Sequence, residues 1–301
     1  MSDESTLPIG RVQAWAMAAR PKTLTAAVAP VVAGTGLAAH DGVFVVLPAA
    51  AALLGAILIQ IGTNFANDYY DFVRGGDTEE RVGPTRVTQA GIIDPPAVKR
   101  GVFAVLGAAI LVGVYLVAVA GWPIVVIGLA SVVCAVAYTG GPFPLAYHGL
   151  GDVFVFVFFG LIAVGGTYFV QALTWPLDAL LAGAGLGALS TAILVVNNLR
   201  DIETDERAGK RTLAVRLGKS GTCAELVALI TLGAMVPVLG WRVFGWPVAS
   251  LAALIAIPLA ISPVRTAFRY EHPSELIPAL GATARVVVVY GVALGAGLAL
   301  G

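Results

Sequence analysis

The chain has 301 residues, of which 58% are hydrophobic and only 12% are charged, and its mean hydropathy is +0.89. These values lie far from those of soluble globular domains and exclude an ordinary soluble enzyme or binding module. The formal net charge is zero, and the absence of a basic tail argues against nucleic acid as a partner. Cys134 and Cys223 are too few for a disulfide framework or a thiolate metal site. The composition therefore predicts an all-α, polytopic membrane protein.

The N-terminal stretch is polar, and the first apolar run begins only after Arg20 and Lys22. No short hydrophobic core with a small-residue cleavage pattern precedes it, so we expect no removable signal peptide. Residues 1–20 are predicted to form a flexible or interfacial segment. Residues 1–301 are predicted to form a single transmembrane domain.

Nine apolar runs approach the length of about 20 residues that a bilayer requires. They lie at residues 24–39, 43–66, 101–120, 123–138, 153–172, 178–197, 223–241, 246–262 and 285–300. Closely spaced glycines, such as Gly183 with Gly187 and Gly291 with Gly295, favour close contact between helices. We predict a bundle of about nine transmembrane helices whose loops cap one end.

The loops between these runs differ strongly in charge. Every Lys and Arg except Arg242 falls on one side of the predicted topology, including Arg285, which we assign to the loop before the last run. Basic loops usually stay on the cytoplasmic side of a membrane. The pattern therefore predicts a multi-pass protein of the cell membrane whose N-terminus and charged loops face the cytoplasm.

Two acidic clusters stand where long apolar runs end. One is Asn67-Asp68-Tyr69-Tyr70-Asp71 after the second run, and the other is Asn198-Leu199-Arg200-Asp201-Ile202-Glu203-Thr204-Asp205 after the sixth. Since four runs separate the two clusters, both are expected at the same membrane face. Carboxylates close to membrane depth are costly and are therefore candidates for function.

The spacing within each cluster places oxygen atoms on one helix face, provided that each helix continues past its apolar run. Residues three and four apart are neighbours on a helix. The first face carries Asn64, Asp68 and Asp71, and the second carries Asn197, Asp201 and Asp205. Carboxylate and amide oxygens suit Mg²⁺ or Ca²⁺ better than Zn²⁺, and protein-bound Mg²⁺ usually completes its shell with water and phosphate oxygens. The clusters therefore predict a metal site for a phosphate or diphosphate.

Basic residues follow each cluster: Arg74 and Arg86 follow the first, and Lys210 and Arg211 follow the second. They are candidates for binding the phosphate oxygens that a metal leaves free. The alternative for each of them is a solvated cytoplasmic loop that only obeys the charge bias of membrane topology.

The paired aspartate motifs resemble those of the UbiA-type intramembrane prenyltransferases. Further segments resemble the menaquinone-pathway branch of that family, the 1,4-dihydroxy-2-naphthoate polyprenyltransferases. These are Arg20-Pro21-Lys22-Thr23-Leu24, Gly83-Pro84-Thr85-Arg86, Tyr138-Thr139-Gly140-Gly141-Pro142, Asn197-Asn198-Leu199-Arg200-Asp201 and Gly209-Lys210-Arg211-Thr212 with the residues that follow up to Gly218. In the wider family a third Asp often lies four residues after the second, whereas Asp77 lies six residues after Asp71, a spacing that this branch shares.

The resemblance implies transfer of a polyprenyl group from its diphosphate to 1,4-dihydroxy-2-naphthoate, with release of CO₂ and diphosphate and with Mg²⁺ as cofactor. It implies metal binding by Asp68, Asp71, Asp201, Asp205 and Asp77, and a role for Tyr138 beside the allyl cation. The expected substrate-binding residues are Asn64, Asn67, Arg74, Arg86, Asn197, Asn198, Lys210, Arg211, Arg20 and Lys22. Arg20 or Lys22 is the candidate partner of the naphthoate carboxylate.

Two alternatives remain open from the sequence. One is another acceptor, such as 4-hydroxybenzoate, homogentisate, haem or a lipid precursor. The other is a cation-coupled transporter, although transporters usually place their acidic residues near the bilayer midplane rather than at one face. The sequence leaves the prenyl length, the number of Mg²⁺ ions and the oligomeric state undetermined. Asp152 is expected to cap the helix of the fifth apolar run.

Overall fold

The computed structural model describes residues 10–75, 83 and 85–301, and the described residues form helices joined by short loops. The helices are α1 (Arg11–Ala19), α2 (Pro21–His40), α3 (Val46–Val73), α4 (Pro95–Ala120), α5 (Trp122–Ala137), α6 (Gly151–Ala172), α7 (Leu177–Arg200), α8 (Ile202–Arg207), α9 (Leu213–Val243), α10 (Val248–Arg269) and α11 (Leu276–Leu300). Helix α6 contains a π-helical turn at Val157–Ile162, and α10 begins as a 3₁₀-helix at Val248–Ala260.

Eight of the described helices are long and apolar enough to cross a membrane, and α5, with 16 residues, is a shorter apolar ninth. A 16-residue helix is about 24 Å long, somewhat less than the thickness of the hydrocarbon core. The predicted bundle of about nine helices is confirmed. This is a multi-span membrane protein.

Several boundaries differ from the sequence prediction, and three of them change the interpretation of charged or N-terminal segments. Helix α11 begins nine residues earlier than expected, so Arg285 lies inside it with an exposed side chain rather than in the preceding loop. Helix α9 starts at Leu213 and changes direction at Gly218, whose φ of 66° lies in the left-handed region that favours glycine. The segment before Lys22 contains α1, of which Ala14 and Ala18 are buried against the bundle.

Helices approach each other closely where a glycine lies at the contact. A Cβ atom added to Gly187 of α7 would lie 2.6 Å from the backbone oxygen of Phe156 in α6, and one added to Gly295 of α11 would lie 2.6 Å from that of Val32 in α2. Any larger residue would push these helices apart. The packing role predicted for both glycine groups is therefore confirmed.

The described residues form four separate apolar clusters, of which two are larger than the others. The larger cluster joins α2, α7 and α11 and includes Leu37, Leu186 and Tyr290. A second cluster joins α1, α3 and α4 around Phe65 and Val102. A cavity lies between the helices that carry them, and it opens at the end of the bundle that carries Asp71, Asp201 and Asp205, which we call the acidic end.

Candidate active site

The cavity has a volume of about 990 Å³ and divides into a polar and an apolar part. At the acidic end its walls carry carboxylate, amide and basic side chains. Deeper in the bundle they are formed by aliphatic and aromatic side chains of α3 to α6, such as Val117, Ile124 and Phe158. A ligand that fills this space has a charged head and a long hydrocarbon body.

Helix α3 contributes a stripe of polar side chains to the cavity. Gln60, Asn64, Asn67 and Asp71 all line it. Their spacing of four, three and four residues keeps them on one face of the helix. The stripe places Asp71 at the mouth of the cavity and Gln60 about 16 Å deeper along the helix axis.

Asp71 is buried and lies at the centre of the contacts at the mouth. Its Oδ2 accepts a hydrogen bond from Arg86 Nη2 at 3.1 Å. Its Oδ1 lies 3.6 Å from Lys210 Nζ and accepts a hydrogen bond from the Tyr147 hydroxyl at 3.4 Å. Because Lys210 belongs to the loop after α8, these contacts join the first acidic cluster to the second.

Asp201 lies at the C-terminal end of α7, where Arg200 holds both of its carboxylate oxygens. Arg200 donates from Nε to Oδ1 at 2.7 Å and from Nη2 to Oδ2 at 2.6 Å. The Arg200 side chain is fully buried, and its Nη2 also donates to Asn197 Oδ1 at 3.0 Å. This two-point contact fixes the orientation of the Asp201 carboxylate.

Asp205 is half-buried on α8 and is less firmly held. Its Oδ1 lies 3.8 Å from Lys210 Nζ. Burial raises the pKa of Asp205 to about 6, although the positive charge of Lys210 opposes that shift. Asp205 therefore changes its charge near pH 6.

Asp68 does not face the cavity, and this differs from the predicted position. Its carboxylate is 1% exposed and accepts hydrogen bonds from two backbone amides, Val87 N–H at 3.2 Å and Thr88 N–H at 2.9 Å. Arg20 Nη2 lies 3.8 Å away. Asp68 thus anchors the segment that carries Arg86.

Each of the four carboxylates has a basic neighbour. The pairs are Asp68 with Arg20, Asp71 with Arg86, Asp201 with Arg200, and Asp205 with Lys210. The cluster is therefore close to electrically balanced. A bare cation gains less by entering such a cluster than a cation that arrives together with a diphosphate anion.

The residues do not form a preassembled metal cage: within residues 10–75, 83 and 85–301, no group of three acidic, histidine or cysteine side chains is placed to hold one ion. The donors Asp71, Asp201 and Asp205 are hard oxygen ligands that line the same cavity. Mg²⁺ typically takes only one or two protein carboxylates and completes its shell with phosphate and water. The donor set therefore fits Mg²⁺ bound together with a diphosphate.

Most of the predicted substrate-binding residues meet at the cavity. Arg20, Lys22, Asn64, Asn67, Arg86, Asn197, Asn198 and Lys210 line it, and Tyr138 lines it as well. Arg74 and Arg211 are absent from its walls. Arg74 is exposed and donates to the Gly141 carbonyl, and Arg211 is exposed and donates its backbone N–H to the Tyr147 carbonyl at 2.9 Å. Asp77 lies outside the described residues.

Tyr138 follows the last residue of α5, beside Gly151 at the start of α6. Burial, reinforced by the charges of Asp152, Asp71 and Asp205, raises the pKa of its phenol well above the ordinary value. The side chain therefore stays neutral at physiological pH. Its ring can stabilise a cation through its π-electrons.

Asp152 does not occupy the N-cap position of α6 that the sequence predicts for it. Asp152 lies in the first turn of α6, after the helix has begun, and the residue at the N-cap position is Leu150. Asp152 is buried, with 6% exposure.

The sequence did not predict the roles of two residues of the site, Arg200 and Tyr147. Arg200 belongs to the second acidic cluster, but helical spacing does not predict its contact with the adjacent Asp201. Tyr147 had no sequence signal, because its contacts with Asp71 of α3 and with Lys210 after α8 join segments that are far apart in the sequence.

Comparison with known proteins gives one consistent result. The model of the UbiA prenyltransferase family matches residues 27–297. The 1,4-dihydroxy-2-naphthoate octaprenyltransferase of Mycobacterium tuberculosis is 39% identical over 95% of this chain and 97% of the relative. The enzyme of the same name from Escherichia coli is 38% identical over 92% of each chain.

A solved structure of a UbiA homolog from Archaeoglobus fulgidus bound to GPP and Mg²⁺ has the same fold. It aligns with a TM-score of 0.64 over 93% of this chain and 99% of that chain, at 15% sequence identity.

Proposed function

The chain belongs to the UbiA prenyltransferase family, and we propose that it transfers a polyprenyl group from polyprenyl diphosphate to 1,4-dihydroxy-2-naphthoate. The carboxyl group leaves as CO₂, and the products are demethylmenaquinol and diphosphate. The acceptor is the one named for the relatives that are 38–39% identical over more than nine tenths of the chain. One structural observation carries the reaction type: a single cavity joins carboxylates and bases at its mouth to a long apolar interior.

The mouth of the cavity is the proposed diphosphate site. Mg²⁺ held by Asp71, Asp201 and Asp205 would neutralise the charge that develops on the leaving diphosphate. Lys210 and Arg86 supply further positive charge close to the same oxygens, since both already contact Asp71. When the allylic C–O bond breaks, its electron pair stays with the diphosphate, where these groups stabilise it.

Asp68 has a different proposed role. It holds the Val87 and Thr88 amides and thereby the segment that carries Arg86. We assign it as a positioning residue rather than a direct metal ligand. Asp77 remains a predicted metal ligand from the sequence motif alone.

The allyl cation that forms must be shielded from water. The apolar walls of the cavity exclude water, and the neutral ring of Tyr138 is available to stabilise the cation. Ile110 and Val114 of α4 and Leu129 of α5 line the cavity and remain 49%, 62% and 59% exposed. We propose that the cavity is open to lipid between α4 and α5 and that the prenyl tail enters there from the bilayer.

The aromatic acceptor carries a carboxylate that needs a cationic partner. Arg20 and Lys22 line the cavity at the N-terminal end of α2 and fit that role. A bound ring would then lie between α2 and α3, close to the diphosphate site. Asn64, Asn67, Asn197 and Asn198 supply polar contacts along the same walls.

We further propose that the acidic end faces the cytoplasm and that the host is the cell membrane. The support is the bias of Lys and Arg toward the loops of this end. Protease access to the loop after α8, or thiol-reagent access to a cysteine introduced there, tests this assignment in sealed vesicles of known orientation.

The proposed activity is tested with the full chain in lipid vesicles. Polyprenyl diphosphate, Mg²⁺ and 1,4-dihydroxy-2-naphthoate labelled at the carboxyl carbon are supplied, and released CO₂, diphosphate and prenylated quinol are measured. The expected result is equal amounts of all three products. Ion flux without diphosphate release would instead support a transporter.

A further inference from the structure

Gln60 is a buried polar residue in the middle of α3 that the proposed chemistry does not use. Its side chain is 7% exposed and lines the cavity, in the same helical stripe as Asn64, Asn67 and Asp71. A polar group at such depth in a membrane protein is costly and is a candidate for function. Its amide oxygen, Oε1, accepts no hydrogen bond from any residue in the described part of the chain.

The direction of this amide is fixed by a chain of hydrogen bonds that starts at a backbone carbonyl. The Ala19 carbonyl can only accept, so the Asn64 atom 2.8 Å from it is the nitrogen Nδ2. Asn64 therefore turns its oxygen toward Gln60, whose Nε2 donates to it at 3.2 Å. The Thr23 hydroxyl donates to the Arg20 carbonyl at 2.9 Å, which leaves its lone pairs for the two amide groups.

This arrangement leaves one possible orientation for the side-chain amide of Gln60. Its NH₂ group is committed to Asn64 and Thr23, so flipping the amide would place two oxygens against each other. The carbonyl oxygen is thus a fixed acceptor without a donor among the described residues. A ligand hydroxyl that donated to it would satisfy a buried group that otherwise remains unpaired.

A second buried group of this kind, Ser190 of α7, is less informative. Its hydroxyl also lines the cavity and has no partner among the described residues. A serine in a helix can, however, rotate its hydroxyl to donate to the backbone carbonyl one turn earlier. Gln60 has no such alternative, so only Gln60 indicates a ligand donor.

The structure of the aromatic substrate indicates which of its hydroxyl groups donates this hydrogen bond. In 1,4-dihydroxy-2-naphthoate the hydroxyl at position 1 is adjacent to the carboxylate and can donate to it within the molecule. The hydroxyl at position 4 lies across the ring from position 1 and needs an external acceptor. Gln60 reaches Thr23, which is three residues, or about 4.5 Å, along α2 from Arg20. This rise along the helix axis is comparable with the width of one aromatic ring of the substrate.

We propose that Gln60 recognises the acceptor by accepting a hydrogen bond from the ring hydroxyl at position 4 while the carboxylate lies toward Arg20 and Lys22. The inference rests on the proposed function, since it deepens the assignment of the acceptor. A site built to bind a hydroxyl selects against ligands that lack the donor, because its own polar group is then left unpaired. Gln60 would thus help to exclude acceptors such as 1-hydroxy-2-naphthoate, whose only hydroxyl lies beside the carboxylate.

The test measures dissociation constants of three ligands for the full chain in detergent: 1,4-dihydroxy-2-naphthoate, 1-hydroxy-2-naphthoate and 1-hydroxy-4-methoxy-2-naphthoate. The wild-type protein should bind the first ten- to a hundredfold more tightly than the other two. In Gln60→Met, which has a similar length, that preference should fall to about twofold or less, while the affinity for 1-hydroxy-2-naphthoate stays unchanged. The control Ser190→Ala should keep the wild-type preference.

Equal weakening of all three ligands by Gln60→Met, or no preference in the wild-type protein, would overturn the proposal. If Gln60→Met fails to fold, Gln60→Leu is used with the same expected result, and the absence of a preference in the wild-type protein overturns the proposal without any variant. Turnover of dihydroxynaphthoate by the wild-type protein is measured separately. Its absence would contradict the proposed function, whereas turnover without a preference for the hydroxyl at position 4 would contradict only the role of Gln60.

Discussion

The two acidic clusters have nearly the same pattern in the sequence but different surroundings in the fold. In the second cluster, Asp201 and Asp205 both line the cavity, and one is held by Arg200 while the other remains half-buried with a raised pKa. In the first, Asp71 lines the cavity but Asp68 is turned toward backbone amides. The comparison teaches that an aspartate in a repeated motif can serve as an anchor for a loop instead of a ligand for the substrate.

The largest effect is expected at the aspartates that line the cavity. Asp71→Asn and Asp201→Asn should each lower kcat/KM by about 10³, because each removes a charge that balances the leaving diphosphate through the metal. Diphosphate release at saturating Mg²⁺ measures the loss. The control is Asp94→Asn, an exposed carboxylate directly before α4 at the same end, which should retain the wild-type rate.

A smaller loss is expected when the partner of Asp201 is changed. Lysine cannot reproduce the two-point contact of a buried arginine, so Arg200→Lys should lower kcat/KM by about 10- to 100-fold. The variant should also unfold at a lower temperature. The exposed Arg269→Lys at the end of α10 serves as the control, and equal behaviour of the two variants would argue against a specific role for the Arg200 pair.

A change at Asp68, which anchors the loop, distinguishes the roles of the two clusters. Asp68→Asn keeps one acceptor oxygen but loses charge, so the segment that carries Arg86 should loosen. We expect the KM for polyprenyl diphosphate to rise about tenfold, as for the loss of one hydrogen bond to a charged group, with the half-activating Mg²⁺ concentration unchanged. A large shift in the Mg²⁺ requirement would instead make Asp68 a metal ligand.

The smallest expected effect is a dependence of the Mg²⁺ requirement on pH. With a pKa of about 6, Asp205 is ionised at pH 7.5 and mostly protonated at pH 5.5. A proton competes with metal for the carboxylate, so the half-activating Mg²⁺ concentration should rise about fourfold as the pH falls over this range. Asp205→Asn should need more Mg²⁺ at both pH values and should lose this part of the pH dependence. An unchanged pH profile in that variant would remove Asp205 from the metal site.

The sequence predicted the bundle well, because long apolar runs leave few alternatives for a chain in a bilayer. It failed at α11, where the charge of Arg285 interrupts the apolar run although the helix continues through it. An exposed arginine is tolerated there because its long side chain can extend toward the membrane surface. A hydropathy value includes the charge of Arg285 but not the ability of its side chain to extend toward the membrane surface.

The candidate site could be predicted only in part. The spacing in each cluster placed the carboxylates near one end, since helical periodicity is a local property. The orientation of Asp68 could not be predicted, because its partners lie about 20 residues later in a loop. The role of Gln60 likewise depends on Ala19 and Thr23, which only the folded bundle brings beside it.

The central claim, the identity of the acceptor, is tested most directly by competition. The full chain in lipid vesicles receives one polyprenyl diphosphate, Mg²⁺ and equal concentrations of 1,4-dihydroxy-2-naphthoate, 4-hydroxybenzoate and homogentisate, and the prenylated products are separated and identified by mass. The account predicts that nearly all prenyl groups appear in decarboxylated naphthoquinol. Preferential prenylation of 4-hydroxybenzoate or homogentisate would contradict it.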